Sequence, residues 1–261
     1  VWYLYCMKKS KDFRPRLNSF ENNLINDYRN NKESRVLVIG DTHFPFDIPQ
    51  YLDFLKDTYD KYNCNRVVHI GDCVDFHALS YHESDPNGMS AGDELSLAKK
   101  HLQRYYKVFP DMDVMFGNHS RLVSRKAMTS GIPREWIKSY AEVFEVPNWK
   151  YHTELVIDNV LYTHGDKSGK ARVAAKRDMI STVTGHYHTD QYVEWFYGKN
   201  SAVFSMAVAS GINDKSYGMS YAAGGKKSAI GCGVVLDGGE TPICLRMPLE
   251  KYKKESKYPL I

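Results

Sequence analysis

A chain of 261 residues, 43% hydrophobic and 25% charged, is long enough for one sizeable core, and a single main domain is expected. Its five cysteines are an odd number with no Cys-x-x-Cys pair, so neither a disulfide framework nor a thiolate zinc site is suggested, and a reducing, cytoplasmic setting fits best. The net charge of +4 is uneven: residues 1–35 carry eight Lys/Arg against four Asp/Glu and residues 246–261 five against two, so basic ends flank an acidic middle. Such ends suit either a polyanionic partner or plain solvation. The apolar stretch Val1 to Met7 is far shorter than the ~20 residues of a bilayer span, and no signal-peptide pattern follows it, so a soluble protein without a membrane partner is expected.

Residues 1–33 mix aromatic, basic and Asn residues, with Leu17, Phe20, Leu24, Ile25 and Tyr28 on one face of a short helix; they read as a basic N-terminal extension. From Arg35 the run RVLVIG has the length of a buried strand and ends in Asp41-Thr42-His43. Pro45 and Pro49 forbid regular strand, and Tyr51 to Tyr62 reads as a helix. The unit recurs as RVVHI, GDCVDF, a polar loop from Ser80 to Gly92 and a helix from about Glu94 to Phe109. It recurs again as DVMF, GNHS and helical material from Arg121 to Phe144, broken at Gly131 and Pro133. Alternating strands and helices imply an α/β fold with parallel pairing in this half. After Pro147 the texture becomes strand-rich: TELVI, VLYTH, STVTG, QYVEWF, AVFSMAVA, IGCGVVL and ICLRM, with helix expected only around Lys170 to Asp178. A two-sheet sandwich flanked by helices, spanning 34–247 and followed by a basic tail at 248–261, accommodates both halves.

Five short runs at predicted strand ends carry chemistry. Asp41 and His43 are two residues apart in a turn and can reach one ion; His186 and His188 share that spacing; Asp72, Asn118 and His164 come from other strand ends. This mixed nitrogen and oxygen set suits Mn²⁺, Fe or Zn²⁺ better than an all-oxygen Mg²⁺ or Ca²⁺ site. Seven ligands are too many for one ion and right for two that share a carboxylate. Two ions roughly 3.5 to 4 Å apart activate water for in-line attack and neutralise a phosphoryl group, so hydrolysis of a phosphate ester is implied.

The ordered set GDTH, GDCVD, GNHS, THG and GHYH resembles the calcineurin-like metallophosphoesterase superfamily, and the resemblance covers Gly40 to His188. It implies that superfamily's four-layer α/β/β/α sandwich, with two divalent ions, Mn²⁺ first and Fe, Zn²⁺ or Ni²⁺ as alternatives. It also implies that Asp41, His43, Asp72 and His188 hold one ion, that Asp72, Asn118, His164 and His186 hold the other, and that Asp72 bridges. His119 would face the substrate, with Asp75 orienting and charging it through a carboxylate–histidine contact. The runs HALSYHESDP and SAGDEL resemble small phosphoesterases of bacteriophage genomes, which would make the setting a host cytoplasm.

The chain departs from the family pattern twice. Ser120 stands where an acidic residue usually follows Gly-Asn-His, and Phe76 stands where protein Ser/Thr phosphatases have Arg. Arg121 is a substitute cation for the phosphate or an exposed helix-start arginine. The expected substrate is a phosphodiester of DNA, RNA or a nucleotide; a phosphomonoester, phosphoproteins included, and a non-catalytic scaffold of the same fold are the alternatives. His69, His101 and His152 are expected to be satisfied core histidines, and His77 and His82 to be loop residues just past the Gly-Asp block, either exposed or touching substrate. The segment AAGGKKS fails the P-loop spacing, leaving Lys226 and Lys227 on a loop.

Overall fold

The computed structural model describes residues 34–81, 87–199, 201–216 and 227–259. The expected N-terminal extension with its helix, His82 and Lys226 lie outside the described residues. Strand β1 (Val36–Ile39) has the central role: Val36 and Val38 face one core, Leu37 and Ile39 the other, as the period of two dictates for a strand buried on both faces. Strands β2 (Arg66–His69), β3 (Asp113–Met115) and β4 (Lys150–His152) pair onward from it in parallel. On its other side lie the antiparallel strands β10 (Gly231–Leu236) and β11 (Thr241–Arg246), which gives the order β11-β10-β1-β2-β3-β4.

The second sheet contains β5 (Glu154–Ile157), β6 (Val160–Thr163), β7 (Ser181–Thr184), β8 (Tyr192–Tyr197) and β9 (Ala202–Ala207), in the order β5-β6-β7-β9-β8. Its centre, β6-β7-β9, is parallel, and both edges are antiparallel. Between the sheets Val38, Val68, Ile70 and Met115 meet Val183, Phe204 and Met206. On the outer face of the first sheet, α1 (Tyr51–Lys61) and α2 (Ala91–Val108) bring Leu52, Leu55, Leu102 and Tyr105 onto Leu37, Ile39 and Val114. Each such large apolar side chain contributes about 1.5–3 kcal/mol on burial. Helix α5 (Ala171–Asp178) packs Ala171, Ala174 and Ala175 against β7 and β9, completing the four layers.

Local sequence explains most boundaries. Helix α2 starts ahead of Glu94 because the Ser90 hydroxyl caps Asp93 N–H at 3.1 Å, with Asp93 and Glu94 in the positive first turn. The excursion between β3 and β4 holds α3 (Leu122–Thr129), a 3-10 turn at Arg134–Trp136 and α4 (Tyr140–Phe144), the last opened by a Ser139/Glu142 capping box. Strand β4, absent from the sequence reading, is a three-residue edge strand of polar texture.

The segment 248–259 is docked on α1, although its composition suggested a solvated arm. Asp53 accepts from Ser256 Oγ at 2.5 Å and from Lys257 N–H at 2.9 Å, and Tyr252 Oη donates to Asp57 at 2.8 Å. Two of its basic residues, Lys251 and Lys257, lie 4.0 and 3.5 Å from Asp57. Among the described residues no helix is long and apolar enough to cross a membrane. Cys64, Cys73, Cys232 and Cys244 are free thiols.

Candidate metal centre

Parallel pairing brings the ends of β1, β2 and β3 to one edge of the first sheet and those of β6 and β7 to one edge of the second; the two edges meet. All seven candidate ligands follow these strand ends. Three compact groups form among the described residues, Asp41 with His43 and His188, Asp72 with His164 and His186, and His43 with Asp75 and His119, and within each the donor atoms lie within 4.8 Å of one another; the first two contain the candidate ligands. Asn118 joins the second group, its Oδ1 3.1 Å from His164 Nε2. His43, Asp72, Phe76 and His186 all have left-handed φ values, 48°, 43°, 54° and 67°. Each such non-glycine residue costs on the order of 1–3 kcal/mol and persists only where the surroundings impose it, a pattern of functional sites.

Two glycines let the loops approach the carboxylates. A Cβ on Gly117 would lie 2.0 Å from Asp72 Oδ1, and one on Gly185 2.3 Å from Asp41 Oδ1. The backbone then holds both acids: His119 N–H donates to Asp72 Oδ1 at 2.9 Å and His186 N–H to Asp41 Oδ2 at 3.0 Å.

Three histidines share one anchoring scheme. His43 Nδ1 is 2.6 Å from Asp75 Oδ1, His164 Nδ1 is 3.2 Å from the Ile70 carbonyl, and His119 Nδ1 is 2.6 Å from the Asp75 carbonyl. An outer acceptor fixes the proton on Nδ1 of the neutral ring and leaves Nε2 as the inward electron-pair donor. Asp75 makes the expected carboxylate contact with His119 and has a second partner beside it. The closest partner of its carboxylate is His43, and His119 is held by its uncharged backbone carbonyl, with the carboxylate 3.4 Å away. The left-handed turn at Phe76 follows directly.

The donor set fits a cation. Asp41 Oδ1 is buried and has no hydrogen-bond partner among the described residues. His43 Nε2 and His188 Nε2 are 3.2 Å apart, so at most one proton can lie between them and one lone pair faces the other ring. Protons partly fill the electrostatic role: burial opposes the charged form of His164, but Asp72 and Asp41 outweigh it and push its pKa up to about 9. Burial likewise opposes ionisation of Asp72, yet His164, His119 and His43 hold its carboxyl well below the usual range. Burial first, and then the neighbouring histidines, pull His186 and His43 the other way, to lower values than a free imidazole. A buried anionic pair that draws a proton onto His164 has the charge balance suited to exchanging protons for a cation.

The remaining candidates are distributed differently. Arg121 forms an ion pair with Asp166, a partner that the sequence reading missed because it lies two residues past His164 on another loop. Ser120 offers its carbonyl to the Tyr140 hydroxyl. His69 bonds Thr42 Oγ1 at 2.9 Å, His101 pairs with Asp47 at 2.5 Å and His152 with Asp113 at 2.8 Å, as expected of satisfied histidines. His77 is buried beside Asp75, 3.9 Å from Oδ2, and not on an open loop.

No curated protein matches the sequence. Among solved structures the chain is similar to an archaeal phosphodiesterase, with 14% identity over 82% of this chain and 99% of that one and a TM-score of 0.43. It is also similar to Yfce, a phosphoesterase from E. coli, at 12% identity, 81% and 100% coverage and a TM-score of 0.39. A third is Vacuolar Protein Sorting 29 from Cryptosporidium parvum, at 15% identity, 82% and 97% coverage and a TM-score of 0.38. Residues 34–212 match the family described as calcineurin-like phosphoesterase, a span that contains every candidate ligand and most of both sheets. The chain belongs to the calcineurin-like phosphoesterase family.

Proposed function

We propose that the protein is a metal-dependent phosphodiesterase acting on nucleic acid or nucleotides. The observation that carries the reading is the convergence of seven nitrogen and oxygen donors into two groups, with the buried Asp41 Oδ1 left unpartnered. Asp41, His43, Asp72 and His188 would hold one divalent ion and Asp72, Asn118, His164 and His186 a second, with Mn²⁺ favoured by the mixed donor set and Fe, Zn²⁺ or Ni²⁺ compatible with it. When bound, the ions supply Lewis acidity toward a phosphoryl oxygen and lower the pKa of water.

The protein's own groups do the rest. His119 lies beside the first group, its ring 4.6 Å from that of His43 in an edge-on arrangement, and its Nδ1 is tied to the Asp75 carbonyl. The imidazolium form keeps that bond and still has an Nε2 proton for the leaving alkoxide; the neutral form can only accept there. Asp75 fixes both rings, one through its carboxylate and one through its carbonyl. A diester monoanion needs less cationic compensation than a monoester dianion. Phe76 in place of an arginine, and the pairing of Arg121 with Asp166, support the diester on that ground. Arg121 then acts as a positioning residue that ties the loop after β3 to the loop after β6.

With Mn²⁺, the protein should hydrolyse bis-p-nitrophenyl phosphate faster than p-nitrophenyl phosphate; the reverse order makes it a phosphomonoesterase. His119→Ala should lower kcat by roughly 10²- to 10⁴-fold, the range for a positioned acid–base group, with metal content unchanged. Loss of metal in that variant would place His119 among the ligands instead.

A further inference from the structure

Beside the metal centre, on the outer side of the first sheet, lies a pocket of about 960 Å³. Ser120 and Arg121, the residues directly after His119, and Phe76, the residue after Asp75, form part of its wall, so the pocket adjoins the candidate acid through its chain neighbours. Its aromatic side is preformed: Phe116 packs 5.8 Å from Tyr140 and 5.6 Å from Tyr151, and Phe76 lies 6.0 Å from Tyr140, all between ring centroids. Among the described residues its lining includes Arg134, Lys138 and Lys167 and no aspartate or glutamate. Tyr151 adds a hydroxyl that is buried and has no hydrogen-bond partner among the described residues.

These features select among occupants. Volume and apolar aromatic lining are those of a small-molecule site and not of a packing defect. Arg134, Lys138 and Lys167 in the lining favour an anionic ligand, such as one with a flanking phosphate. A buried hydroxyl without a partner favours a ligand with a hydrogen-bonding edge over an alkyl chain, because an alkyl group would leave it unsatisfied. A flat heteroaromatic ring with polar edges, attached to phosphate, meets all three requirements. Resting on the phosphodiesterase reading, we propose that this pocket receives the base of the nucleotide unit whose phosphate lies at the metal centre, and so sets the preference of the enzyme for nucleotide esters.

The test compares two diesters with the same leaving group, thymidine 5′-p-nitrophenyl phosphate and methyl p-nitrophenyl phosphate, on the full chain with Mn²⁺. The wild type should favour the nucleoside ester by at least about tenfold in kcat/KM, mainly through KM. Val123→Trp and Leu95→Trp each put an indole into the pocket from a half-buried lining position, on different helices, and should bring that ratio to within about twofold of one. A wild-type ratio near one, or a ratio unchanged in both folded variants, overturns the pocket while leaving the phosphodiesterase reading intact. Binding of thymidine 5′-monophosphate to chelator-treated protein, followed by calorimetry, separates the two ideas from the other side. Binding weakened about tenfold by either variant sustains the pocket even if neither diester is turned over, whereas absence of saturable binding to the wild type removes it.

Discussion

Two sets of buried carboxylates lie in this molecule, and they differ in what surrounds them. Asp47, Asp53 and Glu94 are held by fixed partners: Asp47 by His101 at 2.5 Å, Asp53 by Ser256 and by Lys257 N–H, and Glu94 by the N–H groups of His77 and Ala78 at 2.8 and 2.9 Å. Asp41, Asp72 and Asp75 face clustered histidines, and two of their oxygens, Asp41 Oδ1 and Asp75 Oδ2, have no hydrogen-bond partner among the described residues. Ionisation follows the same division. Burial raises the pKa of Glu94 against its two backbone donors, whereas neighbouring imidazoles overcome burial and lower Asp41 and Asp72. Burial of an acid therefore marks nothing by itself; incomplete satisfaction among donors of metal-binding type marks the site.

Exchanging the consequences of two substitutions would break that contrast. Asp72→Asn should reduce turnover to background and abolish tight metal binding, while the metal-free variant melts only slightly below metal-free wild type, because the loss of a carboxylate that His164, His119 and His43 hold charged is offset in part by relief of its repulsion with Asp41. Metal analysis beside a rate assay checks it, and a variant that kept its metal and its turnover would remove Asp72 from the ligands. Asp47→Ala should do the opposite, lowering folding stability by about 3–5 kcal/mol as for other broken buried pairs, with kcat in Mn²⁺ within about twofold of wild type. Urea unfolding and a rate assay on the same sample decide it; full stability would show that the His101 pair is dispensable. A smaller effect sharpens the boundary between the sets. Asp75→Asn should weaken metal affinity or turnover by roughly 10- to 100-fold, the usual effect of removing an outer partner of a ligating histidine. Unchanged affinity in a competition titration would mean that the 2.6 Å contact with His43 does not orient that ring.

The convergence of the candidate side chains was legible because each belongs to a run of two to four residues whose spacing is itself the requirement for reaching one ion. The sheets were legible for a similar reason: RVLVI and RVVHI are apolar on both faces, as central parallel strands must be. Contacts between distant loops were not legible. The Arg121–Asp166 pair joins two loops of different sheets, and nothing local to either residue announces it. Asp75 was linked to His119, and its carboxylate is 3.4 Å from that ring, but its closer contacts, the carbonyl to His119 and the carboxylate to His43, were not visible in the sequence. The docking of residues 248–259 depends on Asp53 and Asp57, two acids that in sequence look like the solvated face of a helix.

Every candidate ligand lies within four residues of the end of a strand. The strands thus act as a ruler, and the chain should tolerate changes of length very unevenly. One residue inserted within β1 would send Val36 and Val38 to the wrong core and carry Asp41 away from His188, because a slip of one position reverses every side chain. The same insertion in the excursion between α3 and α4 changes neither core nor ligand. Over evolutionary time, drift in length should accumulate there and in the other connections, leaving the short blocks intact while the intervals between them vary.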